Sequence, residues 1–145
     1  MSEYEDFLFR ITQIHESNTR YREDAYFFVM GSLTRAIRSL KKPRHITGKE
    51  LLRVVLAEGK ERFGPMAASV FRHWGIKNSL DFGHIVFNMV HAGVLSKTEN
   101  DSLEDFQEPG FFQKLFDDAA GYRLREEWKT LKNHSEAIPL SKAEA

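Results

Sequence analysis

The sequence predicts a mainly α-helical fold with a small β-hairpin, as one domain over residues 1–132 followed by a flexible tail at 133–145. Apolar residues recur at every third or fourth position in successive stretches, which is the period of a helix with one buried face. Glycine and proline punctuate those stretches, and a single turn-prone segment, Glu99-Asn100-Asp101, sits between two short extended ones. A chain of 145 residues buries roughly 70% of its unfolded surface, enough for one core. Hydrophobic residues at 41% and charged residues at 29% are a globular composition, and the twelve phenylalanines make that core aromatic.

Phe7, Leu8, Ile11 and Ile14 give a short amphipathic helix from Tyr4 to His15, followed by a polar link from Glu16 to Arg20. Tyr26, Val29, Leu33, Ile37 and Leu40 step along one side of a longer helix from about Arg22 to Lys41. Pro43 stops it, since proline has no N–H to donate and disfavours helical geometry in the residue before it. After a short extended piece at Arg44 to Ile46, Thr47 and Glu50 form a capping box, with Ile46 and Leu51 in the two positions of a hydrophobic staple. Leu51, Leu52, Val55, Leu56 and Phe63 face the core. Gly64 closes this helix, and Pro65 opens the next, which runs to about Trp74 and ends at Gly75.

Ser79 is placed to cap a helix from Leu80 to Ala92. Its apolar residues Phe82, Ile85, Val86, Met89 and Val90 leave Asp81, His84, Asn88 and His91 on the opposite side, and Gly93 ends it. Residues 94–98 and 102–106 then read as the two strands of the hairpin. Phe111, Phe112, Leu115 and Phe116 suggest a short helix beyond Pro109, and Leu124, Trp128 and Leu131 share a face of a last one.

This order resembles a winged-helix domain, with a core at about 22–107 and extra N- and C-terminal helices. The stretch from Ser79 to Phe106, a helix running straight into a polar hairpin, carries that likeness. The sequence also resembles the conserved hypothetical proteins of verrucomicrobial and planctomycete bacteria. The residues concerned are Asp24-Ala25-Tyr26 with Phe28-Val29, Ile46-Thr47-Gly48-Lys49-Glu50-Leu51-Leu52, Glu61-Arg62-Phe63-Gly64, Trp74-Gly75, Asp81-Phe82-Gly83 with Ile85-Val86-Phe87-Asn88, and Ala92-Gly93-Val94-Leu95-Ser96-Lys97-Thr98. The likeness covers about residues 21–116. That family has no assigned activity, so it implies no catalytic residues.

Absence of cysteine rules out disulfides and thiolate metal sites. Met1 to Asp6 carry three acids and no secretory pattern, and no apolar run approaches the ~20 residues of a membrane helix. The expectation is a cytoplasmic protein with no membrane partner. Formal charge is zero, yet Arg35 to Lys77 holds eleven Lys and Arg against three Glu, while Asn78 to Asp118 holds two Lys against eight acids. Separation of this kind bears on partners rather than on fold.

Arg35, Arg38, Lys41, Lys42, Arg44 and Lys49 form a basic strip, read either as cations suited to a helix C-terminus or as a contact for RNA or another phosphate-rich partner. The helix from Leu80 has no Lys or Arg, and Glu99, Asp101, Glu104 and Asp105 lie close behind it. That surface repels a phosphate backbone, so Asp81, His84, Asn88 and His91 are candidates for a protein contact instead. His84 and His91 share a face but lie about 10 Å apart at ~1.5 Å rise per residue, too far for ligand bonds of ~2 Å to one ion. No metal or cofactor is expected. No nucleophile elbow, phosphate loop or His-Glu-x-x-His motif is present, and Asp81 with His84 and His91 is a weak acid–base set. Phe111, Phe112, Phe116, Tyr122 and Trp128 suit either the core or a docking face, including a homodimer through the C-terminal helices. The residues point first to a non-enzymatic binding or scaffolding module for protein, then to a nucleic-acid or ribosome-associated factor, and last to an enzyme.

Overall fold

The computed structural model describes residues 2–116 and the backbone of Ser141 and Lys142. Its elements are α1 (Glu3–Ser17), α2 (Glu23–Arg38), α3 (Gly48–Phe63), α4 (Ala67–His73), α5 (Ser79–His91), β1 (Leu95–Ser96), α6 (Phe111–Lys114) and β2 (Ser141–Lys142). Two 3-10 turns, Gly64–Met66 and Leu103–Phe106, join them. The fold is mainly α with a small β element.

Local chemistry sets most of the helix ends. The Ser2 hydroxyl accepts the Glu5 N–H at 3.1 Å, and Glu3, Glu5 and Asp6 place negative charge on the first turn of α1. At α3 the expected box is complete: Glu50 N–H donates to Thr47 Oγ1 at 3.0 Å and Thr47 N–H to Glu50 Oε1 at 2.8 Å. The staple residues Ile46 and Leu51 are both buried. Gly64, at φ 53°, turns the chain out of α3 into the Pro65 corner. Helix α2 stops at Arg38, three residues short of the expected Lys41. There the Ser39 hydroxyl and N–H both donate to the Arg35 carbonyl, tightening the last turn well before Pro43.

Asn78, rather than Ser79, caps α5, because only Asn78 has a carboxylate three residues on. Asp81 N–H donates to Asn78 Oδ1, and Asn78 N–H returns to Asp81 Oδ2, both at 3.2 Å. The Ser79 hydroxyl instead accepts the Glu108 N–H at 2.8 Å, fastening the approach to α6.

Residues 102–106 do not form the second strand of a hairpin. Asp101 accepts the Thr98 N–H at 2.7 Å, Asp105 accepts the Ser102 N–H at 3.1 Å, and the chain winds into the 3-10 turn. Phe106 drives this choice, since its buried ring fills a notch left by two glycines: a Cβ on Gly48 or Gly83 would lie 2.9 Å from that ring. The strand partner of β1 is β2, antiparallel with Leu95 opposite Lys142 and Ser96 opposite Ser141. Two residues of the expected tail are therefore paired. The expected helix at Leu124 to Leu131 lies outside the described residues.

Helix α5 runs through the middle of the core, packed against α1, α2, α3 and the Leu103–Phe106 turn. Beside it the rings of Phe28, Phe63, Phe71 and Trp74 form a cluster with centroids 5.4 to 6.4 Å apart. Phe71 passes the stack on to Phe82 at 5.3 Å. Each such pair adds about 0.5–1.5 kcal/mol beyond its buried area.

Candidate interaction surface

The four residues expected on the open side of α5 do not share a surface. Asp81 is fully buried. Its Oδ1 accepts the Tyr21 hydroxyl and Arg20 Nη2 (2.8 Å), and its Oδ2 accepts the backbone N–H groups of Lys77 (2.7 Å) and Asn78 (3.2 Å). A carboxylate offers about four lone-pair sites, so Asp81 is saturated and offers nothing to a partner or to His84. Asn88 is half-buried and donates to the Tyr26 hydroxyl at 3.0 Å. His84 is half-buried, and only His91 is exposed. The acid turns inward because its donors arrive from the link before α2, about sixty residues away.

Burial, then the hydrogen bond to Asp81 and the charge of that carboxylate, push the Tyr21 hydroxyl far above the ordinary tyrosine range, while Arg20 pulls weakly the other way. Burial also raises Tyr26, against the opposing hydrogen bond from Asn88. Among the described residues, no three His, Asp or Glu side chains are grouped to hold a metal ion.

The basic strip divides in two. Arg44 is internal, its side chain 2% exposed, and it grips Glu50 with Nη1 at 3.2 Å and Nη2 at 3.1 Å. Arg35 crosses from α2 to α3, pairing with Glu58 and, at 3.7 Å, with Glu61; Arg62 reaches the other oxygen of Glu58 at 3.4 Å. The three glutamates of the basic stretch thus neutralise arginines of the same stretch. Arg38, Lys41, Lys42 and Lys49 stay exposed with no ion pair among the described residues.

A different surface stands out where α3, the Pro65 corner, α4 and α6 meet. Met66 is 60% exposed and Phe116 59%. Close by in the sequence, the half-buried rings of Phe63 and Phe112 flank the buried ring of Phe71, at 6.4 and 6.5 Å. Lys60 Nζ donates to the Lys114 carbonyl at 3.4 Å, holding α6 beside the end of α3. The Arg72 guanidinium lies 5.2 Å over the Phe112 ring. From Arg62 to Leu80 the sequence contains no acid.

Sequence periodicity marks Phe112 and Phe116 as either core or docking residues, and the structure separates them from Phe111 and Leu115, which are buried. Met66 carries no sequence signal of its own. Its exposure follows from the 3-10 turn after Gly64, which swings one side chain outward before α4 begins. Tyr122 and Trp128 lie outside the described residues. Comparison of the chain with protein-family models, curated proteins and solved structures gave no match.

Proposed function

We propose that this protein is a non-catalytic binding module that receives another protein on the corner formed by Met66, Phe112 and Phe116. One observation carries the reading: Met66 on the Pro65 corner and Phe116 after α6 stand more than half exposed, as among the large apolar side chains described only Tyr4 and Phe9 of α1 also do. Leaving such groups in water forgoes about 25 cal/mol for every Å² a partner would cover. Methionine adapts to varied contours and aromatic rings supply rigid contact area, which is the composition of an interaction centre. The test is affinity capture from extracts of the native cells with wild type and with a Met66→Ser/Phe116→Ser variant, followed by reconstitution from purified components. A partner held by wild type, lost with the variant and rebinding when purified supports the reading. Equal retention by both proteins rejects it.

A second reading rests on Arg38, Lys41, Lys42 and Lys49, four exposed cations at the junction of α2 and α3 without acidic partners among the described residues. They would track the phosphates of single-stranded RNA. Four contacts give a salt slope of roughly −3 in log affinity against log salt concentration. Anisotropy titrations with a labelled RNA oligomer at several salt concentrations check this, and a flat response removes it.

A further inference from the structure

We infer that α1 is a releasable strap whose opening is coupled, through Arg10, to the C-terminal end of α5. Burial shows how lightly this helix is held. Of its fifteen residues only Ile11 and Ile14 are buried, against eight of sixteen in α2, nine of sixteen in α3 and seven of thirteen in α5. Tyr4 and Phe9 stand exposed and add nothing to its seating. Two buried isoleucines offset little of the conformational entropy lost in fixing fifteen residues, whereas the other three long helices are anchored along their length.

The strap rests on both α2 and α5. On the α2 side Phe7 meets Phe27 edge to face at 5.5 Å, and His15 Nδ1 lies 4.0 Å from Glu23 Oε1, all four side chains half-buried. On the α5 side the polar tie is Arg10. Its Nε donates to Asp6 Oδ2 at 2.8 Å, and its Nη1 donates to the Ala92 carbonyl at 2.9 Å. Ala92 is the C-cap of α5, where carbonyls lack partners within the helix and a cation is favoured. Gly93 follows at φ 79°, and a Cβ there would lie 2.6 Å from Arg10 Nη1. Glycine therefore both turns the chain and leaves the room that the guanidinium occupies.

Coupling follows from that bond. The N–H groups of Ala92, Gly93 and Val94 donate back to the carbonyls of Asn88, Val90 and Met89, so the end of α5 is held from within and by Arg10 from outside. When α1 leaves, the Ala92 carbonyl loses its cation and this turn loosens. Loosening of the turn in its own right removes the acceptor that holds α1, and linkage makes the two effects equal in free energy. A free helix of fifteen residues is marginal in water, so the α1 amides exchange with solvent once the strap is released.

Native-state hydrogen exchange on the full chain, read residue by residue by NMR across low urea concentrations, tests this. In wild type, α1 and residues 92–94 should exchange through one opening well below global unfolding, while α2, α3 and residues 82–89 wait for the latter. Arg10→Ala should speed exchange in α1 and at residues 92–94 by about three- to tenfold and leave α3 unchanged. Asp6→Asn, which loosens the Nε bond and leaves Nη1 on Ala92, should act on the same amides to a smaller extent, and it decides the matter should Arg10→Ala fail to fold. Exchange of α1 only together with global unfolding overturns the inference. So does a rise confined to α1 with residues 92–94 unchanged, a uniform rise over all helices, or no change with either variant.

Discussion

The Tyr21 hydroxyl donates to the buried carboxylate of Asp81, joining the link before α2 to the first turn of α5. Around the same carboxylate gather Arg20 and two backbone N–H groups, so one side chain fixes the entry to the central helix from three directions. Replacing Asp81 by Ala orphans the Tyr21 hydroxyl and both N–H groups. The expected loss is about 3–5 kcal/mol, read from urea denaturation at neutral pH. A loss below about 1 kcal/mol, the size of an ordinary surface substitution, would contradict the role given to Asp81.

Alkaline pH should weaken the same joint. The folded-state pKa of Tyr21 is raised, so its neutral form is favoured in the fold. That stabilisation is fully present below the unfolded tyrosine value of about 10 and is lost as pH climbs above it toward the folded value. Wild type should lose urea resistance between pH 9 and 11. Tyr21→Phe should start lower at pH 8 but lose less over that interval, with Tyr26, also raised, supplying part of what remains. Parallel curves for the two proteins would remove Tyr21 from this account.

The pair of Arg44 and Glu50 should behave as a buried unit. Glu50→Gln takes away the carboxylate facing a guanidinium that water scarcely reaches, at a cost of about 3–5 kcal/mol. Adding Arg44→Met should restore part of that loss, giving a coupling energy of at least about 1 kcal/mol in a double-mutant cycle. Additive losses would show that the two side chains do not depend on each other.

Glycine at position 83 should resist improvement. Helix propensity alone favours alanine by about 1 kcal/mol, yet a Cβ there would lie 2.7 Å from Leu103 Cδ1 and 2.9 Å from Phe106 Cδ2. Gly83→Ala should therefore destabilise by about 1–3 kcal/mol, and Phe106→Ala by about 3–5 kcal/mol. A thermal melt in which Gly83→Ala stabilises would mean that the Leu103–Phe106 turn does not sit against α5.

Features decided within a few residues were legible in the sequence. The Thr47–Glu50 box, the Gly64-Pro65 corner and the apolar stripes of α1, α2, α3 and α5 depend on neighbours three or four positions away. Features decided across the chain were not. Ser102 to Phe106 has the polarity of a strand, but Phe106 is claimed by Gly48 and Gly83, and β1 finds its partner at Ser141 and Lys142. The winged-helix likeness rested on α5 running straight into that hairpin, whereas residues 103–106 wind into a 3-10 turn. Charge was the least legible property. Asp81 and Arg44 look like surface residues in a linear reading, and both are buried against their partners, while Arg35 stays exposed yet pairs across to Glu58 of α3. Met66 shows the converse, an apolar side chain turned outward by the corner that precedes it.

Methionine oxidation tests most directly the placement on which the functional reading depends, because three methionines report on three environments. Met66 is exposed at the corner, whereas Met30 on α2 and Met89 on α5 are buried. Under mild peroxide, with peptide mass spectrometry over time, Met66 should form sulfoxide first, Met30 and Met89 should lag far behind, and a bound partner should slow Met66 alone. Oxidation of Met89 as fast as Met66 would show that α5 is open to solvent and that the exposed corner is not the distinctive surface of this protein.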